Sequence, residues 1–170
     1  MIIIFKQNLA PVLSPIYAFC EGLFLGGISF VFEVKYPGIV FQAVALTFGC
    51  LFAMLFLYKA NIIKVTDKFM NTIFIATFGI AIIYLLSWIL SFFHIQVPAI
   101  YSSSPIGIGF SLIVCVIAAF NFLIDFEIIN RTAANFLPKY YEWYGAFGLL
   151  VTLVWVYIEI LRLLAKLRNK

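Results

Sequence analysis

Two carboxylates, Asp125 and Glu159, stand inside long apolar stretches of this chain, each in one of its last two hydrophobic runs. Asp at the centre of a membrane helix costs about 2.5–3.5 kcal/mol on insertion scales, so a chain that keeps one either uses it or hides it. Three more acids are candidates for accessory roles. Glu127 and Glu142 lie in the charged connection between those runs, and Glu21 sits inside the first run beside Gly22. Each has a plainer reading. Asp125 can be a solvated helix end, and Glu159 can pair locally with Arg162, three residues on along the same helical face. Glu127 and Glu142 can be interfacial, and a Tyr or Ser of a neighbouring helix can satisfy Glu21.

Other chemistry has little to stand on. Cys20, Cys50 and Cys115 each sit in an apolar run and share no metal-ligand spacing, which reads as small buried hydrophobes. His94 is the sole histidine and follows Phe92-Phe93 at the end of a run. One His assembles neither a zinc site nor a Ser–His or Cys–His pair. Helix-borne H-E-x-x-H and G-x-G-x-x-G signatures are absent from the sequence. The expectation is a protein without catalytic residues or a cofactor.

The elements that must position these acids are membrane spans. Of 170 residues, 65% are hydrophobic and 11% charged, and the mean hydropathy is +1.13. A soluble domain of this size has nowhere to put so much apolar surface. The charges cluster between uncharged runs long enough to cross ~30 Å of hydrocarbon as helices. Five spans follow, at about 15–32, 38–58, 69–93, 105–126 and 143–165, in a single transmembrane domain over 1–170. Runs this long are not the alternating pattern of barrel strands, so the fold class is an all-α integral membrane bundle.

Local signals set the ends. Ser14-Pro15 and Ser104-Pro105 each read as a capping serine before a proline in the first turn. Pro37-Gly38 reads as a turn, and Tyr140, Tyr141, Trp143 and Tyr144 as an interfacial aromatic belt. Gly22 and Gly26 form a small-xxx-small pair that another helix could approach. The net charge of +4 resides in short connections and the tail, which suits anionic lipid headgroups and not nucleic acid. Basic residues divide almost evenly between the two sides, so the positive-inside rule gives no orientation.

Several stretches resemble the bacterial branch of the Bax inhibitor-1 family. They are Ala10-Pro11-Val12-Leu13-Ser14-Pro15-Ile16-Tyr17-Ala18, Glu21-Gly22-Leu23-Phe24-Leu25-Gly26, Tyr36-Pro37-Gly38-Ile39-Val40-Phe41-Gln42-Ala43 and Leu123-Ile124-Asp125-Phe126-Glu127. The most specific is the closing Tyr141-Glu142-Trp143-Tyr144-Gly145-Ala146-Phe147-Gly148-Leu149-Leu150-Val151-Thr152-Leu153-Val154-Trp155. The resemblance implies a fold of seven helices with the last one central. This chain's five spans would correspond to the last five, with the first two lacking. It implies a pH-sensitive calcium leak, sensed by one carboxylate on each of the last two helices. Asp125 matches the first position and Glu159 the second. It also implies a cell-membrane location, the bacterial inner or plasma membrane.

The physical logic suits that implication. Two carboxylates in one low-dielectric site do not both ionise cheaply, so they share a proton. Calcium, a hard ion that prefers oxygen ligands, is the candidate cargo once that proton leaves, with Asp125 and Glu159 as its ligands. Helix geometry resists it. In a simple hairpin the residue level with Asp125 falls near Gly145, and Glu159 lies about fourteen residues, or ~20 Å, further in. Either Tyr140 to Gly148 bends or lies along the interface, or Glu142 is the acid that faces Asp125. The alternatives to a leak are a non-transporting interaction protein, acting on a membrane-anchored protease or a stress response, and a shortened, inactive fragment.

Overall fold

The computed structural model describes residues 9–93, 102–135 and 138–169. His94 therefore lies outside the described residues. Five helices follow one another: α1 Ala10–Lys35, α2 Ile39–Lys59, α3 Asp67–Phe92, α4 Pro105–Ala134 and α5 Tyr140–Arg168. Each is long and apolar enough to cross a membrane, and no strand occurs among the described residues. The class is the one the composition calls for.

The ends show which local signals hold. Ser104 caps α4, its hydroxyl accepting from the Gly107 amide at 3.2 Å, with Pro105 in the first turn. Thr66 caps α3 in the same way, through the Phe69 amide at 3.3 Å. Gly38 has φ 80°, a left-handed conformation that glycine alone adopts without cost, and it turns the chain from α1 into α2. Glu33 completes that turn, because its carboxylate accepts from the amides of Gly38 and Val40 at the start of α2. An acid at the positive end of a helix is favoured by the unpaired amides and the helix dipole together.

Two boundaries differ from the sequence reading. Ser14 does not cap α1, which starts at Ala10 with Pro11 in its first turn and carries Pro15 inside. Pro11 already suits the start, so the helix gains a turn before Ser14, whose buried hydroxyl is left without a partner. The connection expected after Phe126 is largely helix, with α4 running on to Ala134. Its charges stabilise that extension. Arg131 donates to Glu127 at 2.7 Å one turn back and pairs with Asp67 of α3 at 3.1 Å, while the Tyr58 hydroxyl of α2 donates to Glu127 at 2.8 Å.

The core lies where α5 meets α4 and α2, around Ile39, Ala43, Ala118, Phe122, Val156, Tyr157 and Leu161. Helix α5 also packs along α1, where Ser29 and Tyr157 share a 2.6 Å hydrogen bond, and reaches α3 through Tyr84. It touches each of the other four described helices, matching the central last helix that the resemblance implies. Helix α1 is the least enclosed, with only Ala10 and Ser14 buried. A Cβ on Gly22, Gly26 or Gly27 would meet nothing within 4 Å, so no described helix uses that small-residue face.

Close approach is enforced elsewhere. At Gly107 the Ser102 carbonyl occupies the space a Cβ would need, and a backbone group cannot step aside as a side-chain tip can. Gly107→Ala is expected to lower stability by about 1–3 kcal/mol, the usual cost of overpacking, and Gly22→Ala to stay within about 0.5 kcal/mol. Thermal unfolding of both variants in one detergent checks this; equal melting temperatures would show that the Ser102 contact is not held.

Candidate functional site

The antiparallel α4–α5 pair supplies the site. On α5, Gly145, Thr152, Glu159 and Lys166 recur every seven residues and are all buried, so they form one continuous seam. Gly145 faces Ile129 of α4, Gly148 faces Asp125, and Lys166 reaches Gly107 and Ser111. The seam runs from the Ile129 end of α4 to its first turn, and the register fixes what each acid meets.

Asp125 points at the open backbone of Gly148. A Cβ there would stand 3.5 Å from its Oδ1. Thr152, one turn further along α5, hydrogen-bonds the carboxyl. Its other oxygen, Oδ2, is buried and has no hydrogen-bond partner. No cation pairs with it among the described residues. An unpaired carboxylate oxygen held out of water is costly.

Glu159 is the opposite case. Only 1% exposed, it is fully engaged: Oε2 accepts from the Tyr84 hydroxyl at 2.9 Å. Its Oε1 accepts from the Trp155 indole N–H at 3.2 Å and pairs with Arg162 at 3.3 Å. The Arg162 guanidinium lies 5.1 Å from the centre of the Tyr84 ring. The local Glu159–Arg162 pair read from the sequence is present, and it belongs to a larger network tying α3 to α5.

The two acids do not meet. Tyr140 to Gly148 is part of one uninterrupted helix, with Asp125 set against Gly148 and Glu159 eleven residues further on. Glu159 lies seven residues beyond Thr152, about 10 Å along the axis, and the fully buried Phe122, Ala118 and Val156 fill the core between α4 and α5. Nor does Glu142 face Asp125; it is exposed on the first turn of α5, beside Ile129, Thr132 and Ala133. Glu127 is committed to Tyr58 and Arg131. Glu21, half-buried, is hydrogen-bonded with Tyr17 one turn earlier in α1.

Asp125 and Glu159 stand on different levels of the seam, one beside Gly148 and the other beside Tyr84. Among the described residues no group of three or more His, Cys, Asp or Glu gathers to hold a metal. Asp125 with Thr152 offers far fewer than the six to eight oxygens that calcium takes. The three cysteines are free, Cys20 exposed and Cys50 and Cys115 half-buried.

Thr152, Tyr84, Gly148 and the buried Lys166 were not picked out from the sequence. The seven-residue spacing of Gly145, Thr152, Glu159 and Lys166 was the available signal. Tyr84 gave none, because partners on separate helices leave no periodic trace.

The chain belongs to the Bax inhibitor 1 like family, whose model matches residues 1–169. No curated protein and no solved structure matched the chain.

The two acids should respond oppositely to substitution. Glu159→Ala strands the Tyr84 hydroxyl, the Trp155 N–H and Arg162, and is expected to cost about 1–3 kcal/mol or more. Asp125→Asn removes a carboxylate that Thr152 alone contacts and no cation offsets, and is expected to be neutral or stabilising. Melting temperatures in detergent at neutral pH decide it: a loss with Asp125→Asn as large as with Glu159→Ala would mean that Asp125 has a cationic partner.

Proposed function

We propose that this Bax inhibitor-like membrane protein is a proton-regulated cation leak, with calcium as its cargo and Asp125 as its sensor. The observation that carries the reading is the half-buried Asp125 carboxylate, whose buried Oδ2 is unpaired and whose Oδ1 lies beside the bare backbone of Gly148. Ionisable groups kept inside membrane helices at such expense mark ion or proton pathways.

Protonated, Asp125 is neutral and the seam can stay closed around it. Ionised, it places an uncompensated negative charge between α4 and α5, and the cheapest remedy is a cation drawn in beside it. Thr152 and the backbone at Gly148 are the oxygen donors at hand. The carboxylate pair that the family resemblance implies becomes one responsive acid here. Glu159, tied to Tyr84, Trp155 and Arg162, acts as a brace between α3 and α5. The reading assigns transport to this chain and no catalytic step, and places it in the inner or plasma membrane of a bacterium.

A second reading has its own support. The open Gly22–Gly26 face of α1 suits close packing against another membrane helix. It would make the chain a non-transporting partner of a membrane-anchored protease complex.

Calcium flux into liposomes separates the two. On the leak reading flux rises with pH as Asp125 ionises, and Asp125→Asn abolishes that dependence. A pH profile unchanged by the substitution would sink the sensor assignment. On the interaction reading, co-purification with a protease survives neutralising both Asp125 and Glu159.

A further inference from the structure

At the end of the bundle where α1 and α5 finish and α4 begins, positive charge is left over. Arg162 is matched by Glu159. Arg168 donates to the Pro37 carbonyl at 2.8 Å and to Gln42 Oε1 at 3.0 Å. Glu33, the other acid of this end, is taken up by the amides of Gly38 and Val40. Lys35 and Lys166 remain, and neither has a carboxylate within ion-pair distance among the described residues.

Lys166 is the unusual one. It is 9% exposed, and its ammonium donates to the Gly107 carbonyl at 3.0 Å and to Ser111 Oγ at 2.7 Å. Both acceptors are neutral. An ammonium has three protons to donate, so one hydrogen bond is open, and the acid that acts on it, Glu159, does so from beyond ion-pair distance and is itself paired with Arg162. A buried charge in this state is expensive unless an anion comes to it.

A place for the anion exists. A cavity of about 300 Å³ lies between the last turns of α1 and α5, lined by Lys35, Tyr36, Ser103, Lys166 and Asn169 on its polar side and by Val31 and Phe32 on its apolar side. Val31 and Val34 are exposed on the flank of α1 that faces hydrocarbon. Polar walls at the headgroup level that open onto an apolar flank fit one amphiphile. We propose that this cavity binds the phosphate of an anionic phospholipid, with Lys35 and Lys166 as its cations and the acyl chains lying along Val31 and Val34. Basic pockets between helices near a membrane surface take such headgroups, and each nearby lysine contributes enough to alter binding about fivefold. The site is separate from Asp125 and stands whether or not the chain conducts ions.

The test uses the full chain in nanodiscs of phosphatidylcholine, with or without phosphatidylglycerol. Native mass spectrometry reads retained lipid, and thermal unfolding reads stabilisation. Phosphatidylglycerol is expected to be retained over phosphatidylcholine and to raise the melting temperature. Lys35→Gln, at an exposed position outside the core, should cut that retention about fivefold, and Lys166→Met should cut it further. Lys59→Gln, which removes an exposed lysine at the opposite end, should leave it intact. Equal losses in Lys35→Gln and Lys59→Gln would reduce the effect to general surface attraction and overturn the site. Inorganic phosphate added to pure phosphatidylcholine discs should stabilise little. Stabilisation matching that of the lipid would overturn the assignment to a phospholipid.

Discussion

Inside hydrocarbon a polar side chain finds its partner in the protein or goes without, and the contact between α4 and α5 is where two incompletely satisfied charged groups of this bundle sit. The seven-residue repeat on α5 brings Thr152, Glu159 and Lys166 to that one contact, with Gly145 allowing the helices to close up against Ile129. Opposite them α4 presents Asp125, Cys115, Ser111 and Gly107. Because the helices are antiparallel and unbroken, each pairing fixes the next. With Lys166 seated between Gly107 and Ser111, Asp125 can only fall near Gly148 and Thr152. The register is therefore a single constraint with several chemical consequences.

One consequence is a division of labour between polar groups that stabilise and those that do not. Glu159 receives three donors, from a tyrosine, a tryptophan and an arginine, and ties α3 to α5. Glu127 does similar work near the far end of α4, where Tyr58, Arg131 and Asp67 join α2, α3 and α4. Glu33 and Arg168 fasten the turn between α1 and α2 to the end of α5. Asp125 Oδ2 and the Lys166 ammonium lie at opposite ends of the seam and are left incompletely matched. Packing alone does not explain keeping them, since an asparagine or a methionine would be cheaper at either place.

The architecture was legible in the sequence because its cause is local. Long apolar runs with few charges specify spans, Ser104-Pro105 specifies a capped start, and Gly38 specifies a turn. Helix ends were less so. Ser14-Pro15 carries the same signature as Ser104-Pro105, yet Pro11 takes the first turn and leaves Ser14 inside α1. The extension of α4 beyond Phe126 depends on Tyr58 and Asp67, which belong to other helices. The site followed the same division. Simple hairpin geometry indicated that Glu159 lies too deep to meet Asp125, and the observed register, with Asp125 at Gly148 and Thr152, agrees with it. That Asp125 would find Thr152 and no cation required the register, which no run of residues spells out.

That Asp125 and Glu159 are both carboxylates one helix apart obscures how differently they can behave. A carboxylate already holding three donors, one of them a guanidinium, gains little from a further cation. One with an empty lone-pair side gains from either a proton or a cation, and exchanging them is a small step. On the proposed reading, the more deeply networked residue is the brace, and the poorly satisfied one is the part able to respond.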